Sequence, residues 1–130
     1  MPLTYLDSSA LVKLVLVEPE SAALARYLRR GQSLVSSALA QTEVARALSP
    51  LGEEWMARGR LMLERVELVR ITDAVVATAG ALLPAQLRSL DALHLATALM
   101  VRSDLRSIVT YDQRMAEAAR GLGLRVDAPV

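Results

Sequence analysis

Residues 3–17 read LTYLDSSALVKLVLV and contain the first junction between a strand and a helix. The short run Leu3–Leu6 includes threonine and tyrosine, which favour strands, and it stops at Asp7. Ser8 and Ser9 are good N-cap residues, and the apolar segment behind them predicts a helix over Ala10–Val17. The chain therefore opens with a strand that passes through an acidic residue into a helix.

The same alternation of strand and helix continues along the chain. Further strands are predicted at Ser33–Ser36, Val66–Ile71, Ser107–Thr110 and Leu124–Val126. Helices are predicted between them at Ala22–Arg30, Ala38–Leu48, Glu53–Glu64, a segment capped by Thr72 or Asp73 and ending at Leu83, Arg88–Arg102 and Gln113–Leu122. Strands that alternate with helices favour a parallel sheet covered on both faces. The fold class predicted is α/β, a three-layer α/β/α sandwich with a small, mostly parallel sheet.

Composition narrows the possible functions. The 130 residues suit one domain spanning 1–130, and 53% hydrophobic residues suffice for a core. The absence of cysteine excludes disulfides, thiolate nucleophiles, zinc fingers and iron–sulfur clusters, and the single histidine excludes a polyhistidine metal site. Aromatic residues make up 3%, which argues against a sheet that stacks nucleic-acid bases. Any chemistry is therefore expected to rely on carboxylates.

Four acidic residues lie in otherwise apolar surroundings. Asp7 follows the first predicted strand, Asp112 follows the fourth, and Glu43 and Asp91 lie in helices next to strands. Ligands bind beyond the carboxyl ends of strands in open parallel sheets. Four close carboxylates repel one another unless a cation neutralises them, and ligands that are all oxygen select Mg²⁺ or Mn²⁺. The chemistry that fits is metal-assisted hydrolysis of a phosphodiester.

Each acid also has a purely structural interpretation. Asp7 and Asp112 could cap the helices that follow them, and Asp91 could favour the positive end of its own helix. Glu43 could pair with Arg46, one turn further along the same predicted helix. The four acids taken together at convergent positions favour a shared site.

Four segments in this order resemble the PIN domain family, and more narrowly its VapC-type ribonuclease toxins. They are LTYLDSSALVKLVLVEPES (3–21), TEVARAL (42–48), LRSLDALHLATAL (87–99) and IVTYDQRMAEAARGLGLRV (108–126). The resemblance spans nearly the whole chain, is strongest around Asp91 and is weakest between Pro50 and Pro84.

The resemblance implies a small α/β/α fold and a metal-dependent endoribonuclease. The acidic metal site of the family corresponds to Asp7, Glu43, Asp91 and Asp112, and its supporting polar positions correspond to Ser9 and Thr110. Such proteins use Mg²⁺ or Mn²⁺ to cleave RNA, usually form homodimers and are inhibited by a cognate antitoxin protein. Glu43 would either bind the metal or orient the attacking water.

Other residues near the four acids have two interpretations each. His94, one turn after Asp91, is either a general base or a hydrogen-bonded or packed histidine, and the second is favoured because metal-activated water needs no imidazole. Arg46, Arg88 and Arg114 each lie within a turn of a site acid and could contact RNA phosphates or form local ion pairs.

Other functions remain open from the sequence alone. A PIN nuclease of RNA maturation or decay would carry the same four acids. A receiver-type phosphoacceptor domain fits less well, because serines rather than a second acid follow Asp7, and a non-catalytic binding module is the remaining alternative. No apolar stretch approaches the roughly 20 residues that span a bilayer, so no membrane partner and a cytoplasmic location are expected. Removing the four site acids leaves ten acidic against 15 basic residues elsewhere, which suits an RNA-binding rim.

Overall fold

A computed structural model describes residues 2–29 and 31–130 of the chain. Its strands are β1 (Leu3–Leu6), β2 (Ser33–Ser37), β3 (Glu67–Val69), β4 (Leu105–Val109) and β5 (Val126–Asp127). Its α-helices are α1 (Ser8–Val12), α2 (Ser21–Leu28), α3 (Leu39–Leu48), α4 (Glu53–Leu63), α5 (Asp73–Ala81), α6 (Ser89–Met100) and α7 (Gln113–Gly121), with short 3₁₀ turns at Ser49–Leu51 and Arg102–Asp104.

The five strands form one parallel sheet in the order β3-β2-β1-β4-β5. β1 lies in the centre and pairs with β2 on one side and with β4 on the other. The chain moves outward from β1 to β3 and then crosses back to β4, so the direction of winding changes between β1 and β4. A crevice beyond the carboxyl ends of the strands forms at such a switch point, and Asp7 and Asp112 follow the two strands that flank it.

Successive residues of the central strands point to opposite faces of the sheet and contribute to two separate cores. Leu6 and Val109 pack with residues of α1, α2, α3 and α4. Tyr5 and Ile108 pack with residues of α6 and α7, and α5 packs against α6. These two layers of helices confirm the predicted α/β/α architecture, and all of the strand pairs are parallel.

Every predicted element is present, but several boundaries were wrong. α1 starts at Ser8 rather than Ala10 and ends at Val12, because residues 13–15 continue as turns bonded three residues back instead of as α-helix. β4 starts at Leu105, two residues before the predicted strand, because Leu105 pairs with Leu3. The second predicted helix extended to Arg30, which lies outside the described residues; α2 ends at Leu28.

Within the part of the chain that the structure describes, no helix combines the length and apolar character needed to cross a membrane.

The difference between core and surface leucines gives a test of this fold. Leu95 is fully buried on α6, whereas Leu61 on α4 is 66% exposed although it belongs to an apolar run. We expect Leu95→Ala to lower the free energy of unfolding by about 2–5 kcal/mol. Leu61→Ala should change it by less than about 0.5 kcal/mol, as measured by urea unfolding. Equal losses for the two variants would contradict the assigned α4 surface.

Candidate active site at the carboxyl edge of the sheet

Asp7 is a buried carboxylate at the end of the central strand. Its Oδ1 accepts hydrogen bonds from the Ser9 hydroxyl at 2.6 Å and from the Ala10 backbone N–H at 3.0 Å. Its Oδ2 accepts one from the Thr110 hydroxyl at 2.6 Å. Burial raises the pKa of Asp7 above its usual value, although the bonds from Ser9, Thr110 and Ala10 act in the opposite direction. Because each carboxylate oxygen has two lone pairs, one on Oδ2 remains for a further partner.

The two predicted supporting residues, Ser9 and Thr110, connect β1 to the segment after β4. Ser9 donates to Asp7 and accepts from the Tyr111 backbone N–H at 3.1 Å. Thr110 donates to Asp7 and accepts from the Asp112 backbone N–H at 3.1 Å. The sequence favours Ser8 or Ser9 as the N-cap of α1, but the structure has Asp7 at this position. The Ser9 hydroxyl instead donates to Asp7 itself.

Glu43, on α3, lies at the same edge of the sheet and does not pair with Arg46. Its Oε1 accepts hydrogen bonds from the Ser8 hydroxyl at 2.5 Å and from His94 Nε2 at 2.6 Å. Burial acts to raise the pKa of Glu43, but the bonds from His94 and Ser8 outweigh it and hold the pKa below its ordinary value. Glu43 is therefore an ionised carboxylate at neutral pH.

His94 is buried beneath this carboxylate, with 2% of its surface exposed. Its Nδ1 lies 2.6 Å from the hydroxyl of Tyr5, and its Nε2 contacts Glu43. This agrees with the favoured interpretation, a hydrogen-bonded histidine near the site. Both ring nitrogens are engaged, which leaves neither available to take a proton from water.

Asp91 and Asp112 share one guanidinium group. Arg88 Nε lies 3.2 Å from Asp91 Oδ2, and Arg88 Nη2 lies 3.0 Å from Asp112 Oδ2. Asp112 also caps α7 through its Oδ1, which accepts the backbone N–H groups of Arg114 and Met115. The Arg88 side chain is 64% exposed, whereas the side chains of the two acids are largely covered. The guanidinium therefore neutralises the two acids from the solvent side.

These contacts bring the four predicted acids to one edge of the sheet. Thr110 connects Asp7 to Asp112, and Arg88 connects Asp112 to Asp91. Asp91 precedes His94 by one turn of α6, and His94 contacts Glu43. Over residues 2–29 and 31–130, however, no three histidine, cysteine or acidic side chains are gathered closely enough to hold a metal ion by themselves.

The structure also separates the three candidate arginines. Arg88 forms the local ion pairs just described, and Arg46 and Arg114 are exposed and enter none of the ion pairs seen among the described residues. A groove of about 940 Å³ opens beside Asp91, with Arg88 and Arg114 on its walls and Leu87, Ala118 and Leu122 among its apolar lining.

Tyr5 and Ser8 contact site residues, and the sequence did not reveal this. Tyr5 looks like an ordinary strand residue and Ser8 like a helix cap, and neither pattern reveals a partner that lies 89 or 35 residues away. Only the pairing of β1 with its neighbours brings α3 and α6 to the same strand end. The position of Ser8 directly after Asp7 was the one available signal.

Most of the chain matches a known protein family: the family model described as PIN domain matches residues 4–121. The chain belongs to the PIN domain family. It is 53% identical to "Ribonuclease VapC46" of Mycobacterium tuberculosis over 129 residues, or 99% of each chain, and 43% identical to "Ribonuclease VapC35" of the same species over 129 residues, or 96% of each. The PIN domain assignment sets aside the receiver-type interpretation.

Two solved structures of other proteins share this PIN fold. One is a toxin–antitoxin complex from Klebsiella pneumoniae, with a TM-score of 0.74 at 20% identity over 98% of both chains. The other is VapBC2 from Rickettsia felis bound to a promoter DNA fragment, with a TM-score of 0.76 at 14% identity over 98% of this chain and 99% of that one. At these identities the likeness concerns the fold.

The buried charge of Asp7 predicts opposite effects for two substitutions. Asp7→Asn removes the charge that burial disfavours and keeps an oxygen that can cap α1, so the metal-free protein should unfold at the same or a higher temperature. Asp7→Ala also removes the cap and leaves Ser9 and Thr110 without their acceptor, which should destabilise the protein by about 1–2 kcal/mol. Thermal unfolding in the presence of chelator measures both. A strongly destabilised Asp7→Asn would contradict this account of the buried charge.

Proposed function

We propose that the chain is a metal-dependent endoribonuclease and the toxin of a toxin–antitoxin pair. The observation that carries the proposal is the line of carboxylates at the β1–β4 switch point, formed by the four residues to which the family resemblance assigns the acidic metal site. The 53% identity to a protein named Ribonuclease VapC46 supports the choice of RNA as substrate.

The donors at this site suit Mg²⁺ or Mn²⁺. Asp7, Glu43, Asp91 and Asp112 offer only carboxylate oxygens, the ligands that such hard ions prefer. Mg²⁺ is usually held by one or two carboxylates and retains several waters, so a ready-made set of three protein ligands is not required. When bound, the ion supplies a polarised phosphate and a hydroxide at neutral pH.

The chain's own residues have distinct roles in this proposal. Asp91 and Asp112 hold the cation on the exposed side, where Arg88 now neutralises them. Asp7 supplies its one remaining lone pair from the buried side, and Ser9 and Thr110 fix its orientation. Glu43, ionised and bonded through Oε1, either joins the ligands or accepts a hydrogen bond from the attacking water.

RNA would reach the acids through the groove beside Asp91. Arg88 and Arg114 line this groove, and in this proposal their guanidinium groups would contact RNA phosphates there. Arg46, exposed on α3 one turn after Glu43, is a third candidate for such a contact. The excess of basic over acidic residues outside the site favours this binding.

An antitoxin protein is the proposed regulatory partner. The solved relatives of this fold include toxin–antitoxin complexes, and the relatives with over 30% identity are named as VapC ribonucleases. A homodimer remains a prediction from the family resemblance, and a cytoplasmic location remains a prediction from the sequence. A short reading frame next to the gene, whose product binds this chain and restores growth, would distinguish a toxin from a nuclease of RNA maturation.

The first test is cleavage of structured RNA by purified protein, with Mg²⁺, with Mn²⁺ and with chelator. We expect cleavage only with metal, and a loss of roughly a hundredfold or more, equivalent to about 3 kcal/mol, for the isosteric Asp91→Asn. Arg120→Gln, an exposed change on α7, serves as the matched control. Cleavage that survives both chelator and Asp91→Asn, with contaminating nucleases excluded, would show that the carboxylate mechanism is wrong. No cleavage under any condition would favour a binding module.

A second test concerns Arg88 as the resident cation of Asp91 and Asp112. Replacing it by glutamine leaves the two carboxylates without a counter-ion, so Mn²⁺ should bind about fivefold more tightly, since one unit charge a few ångströms away is worth about 1 kcal/mol in water. The KM for RNA should rise at the same time. Calorimetric titration with Mn²⁺ measures the first effect, and Arg58→Gln, an exposed change on α4, is the control. Unchanged Mn²⁺ affinity in Arg88→Gln would mean that the guanidinium and the metal do not compete.

A further inference from the structure

The carboxylate of Glu43 is held by a row of buried side chains that begins on the central strand. Tyr5, on β1, is fully buried, and its hydroxyl lies 2.6 Å from His94 Nδ1. The two rings meet edge to face with their centroids 5.8 Å apart. On the other side of the imidazole, Nε2 lies 2.6 Å from Glu43 Oε1. The row therefore joins β1, α6 and α3.

The chemistry of Glu43 fixes the direction of its bond to the imidazole. Glu43 is ionised and can only accept, so the proton on this bond belongs to His94 Nε2. On the other side of the ring, burial raises the pKa of Tyr5 well above its usual value, so the phenol keeps its proton and contacts Nδ1 at 2.6 Å. The imidazole is therefore held at both nitrogens, with Nε2–H directed at Glu43.

The hydroxyls of Ser36 and Thr97 also lie within hydrogen-bonding reach of the Tyr5 hydroxyl. Ser36 donates its own proton to the Leu6 carbonyl, and Thr97 donates its own to the Leu93 carbonyl. Toward Tyr5 they can therefore act only as acceptors, so neither donates to the Tyr5 oxygen in competition with His94.

We propose that Tyr5 and His94 are positioning residues for Glu43. Tyr5 holds the His94 ring at Nδ1 so that Nε2–H points at Glu43, and His94 together with Ser8 holds Glu43 by Oε1, which leaves Oε2 free for the reaction. Ser8 alone is a single hydroxyl on the same oxygen, 3.5 Å from His94 Nε2, and does not fix the plane of the carboxylate. The part of this inference that concerns the reaction rests on the nuclease function proposed above, whereas the hydrogen-bonded row does not.

The single histidine makes the proton on this bond directly measurable. Long-range ¹H–¹⁵N spectra of uniformly labelled protein without a histidine tag should show one imidazole whose Nε2 is of the protonated type. In Tyr5→Phe, which removes only the hydroxyl, the Nδ1 resonance should move. A wild-type Nε2 of the unprotonated type, or an Nδ1 resonance that Tyr5→Phe leaves unchanged, would overturn the inference.

Kinetics separate a positioning role from a structural one. His94→Gln keeps an amide N–H at the place of Nε2 and should retain most of the kcat, whereas His94→Asn is too short to reach Glu43 and should lose roughly tenfold or more, with KM little changed. Tyr5→Phe should lower kcat in the wild-type background but have no further effect in His94→Gln, since Tyr5 acts through Nδ1. Equal losses from Tyr5→Phe in both backgrounds would overturn the proposal.

Two controls accompany these measurements. Urea unfolding of each variant identifies any kinetic loss that only follows destabilisation. Met115→Leu, a volume-conserving change of a buried residue on α7, should keep the wild-type imidazole spectrum. A wild-type protein that never cleaves RNA but carries the proton on Nε2 overturns the nuclease function alone. An active wild type without that proton overturns only the positioning role.

Discussion

The buried carboxylate of Asp7 is the interaction on which both the fold and the site depend. It ends the central strand, caps α1 and accepts hydroxyl bonds from Ser9 and Thr110. These bonds hold β1 against the segment that follows β4, which is the switch point of the sheet. A single ionisable group thus joins the two strand ends that border the crevice, although burial opposes its charge.

Local patterns in the sequence were sufficient to predict the architecture. Short segments with strand residues, such as Leu3–Leu6, alternate with longer helical segments, and this alternation predicts the parallel sheet. Boundaries were less accurate where the deciding contact is distant. The start of β4 depends on its pairing with Leu3, and the early end of α1 at Val12 lies within an apolar run that looks helical throughout.

The positions of the site acids could be predicted from the sequence, but their partners could not. Arg46 is the near neighbour of Glu43 in sequence, yet the partner is His94, 51 residues further on. Arg88 looked like either a phosphate contact or a local pair, and it bridges two acids that lie 21 positions apart in the chain. Such choices depend on which strand ends are neighbours, and a one-dimensional pattern of residue types does not carry that information.

The acids of the site are neutralised in two different ways. Asp7 and Glu43 are satisfied by hydroxyl, backbone and imidazole donors that belong to the packed structure. Asp91 and Asp112 depend on one arginine whose side chain is 64% exposed and can move into solvent at little cost. In the function proposed above, Asp91 and Asp112 are the pair at which a metal ion would replace the protein's own charge. Asp7 and Glu43 would keep their geometry while this happens.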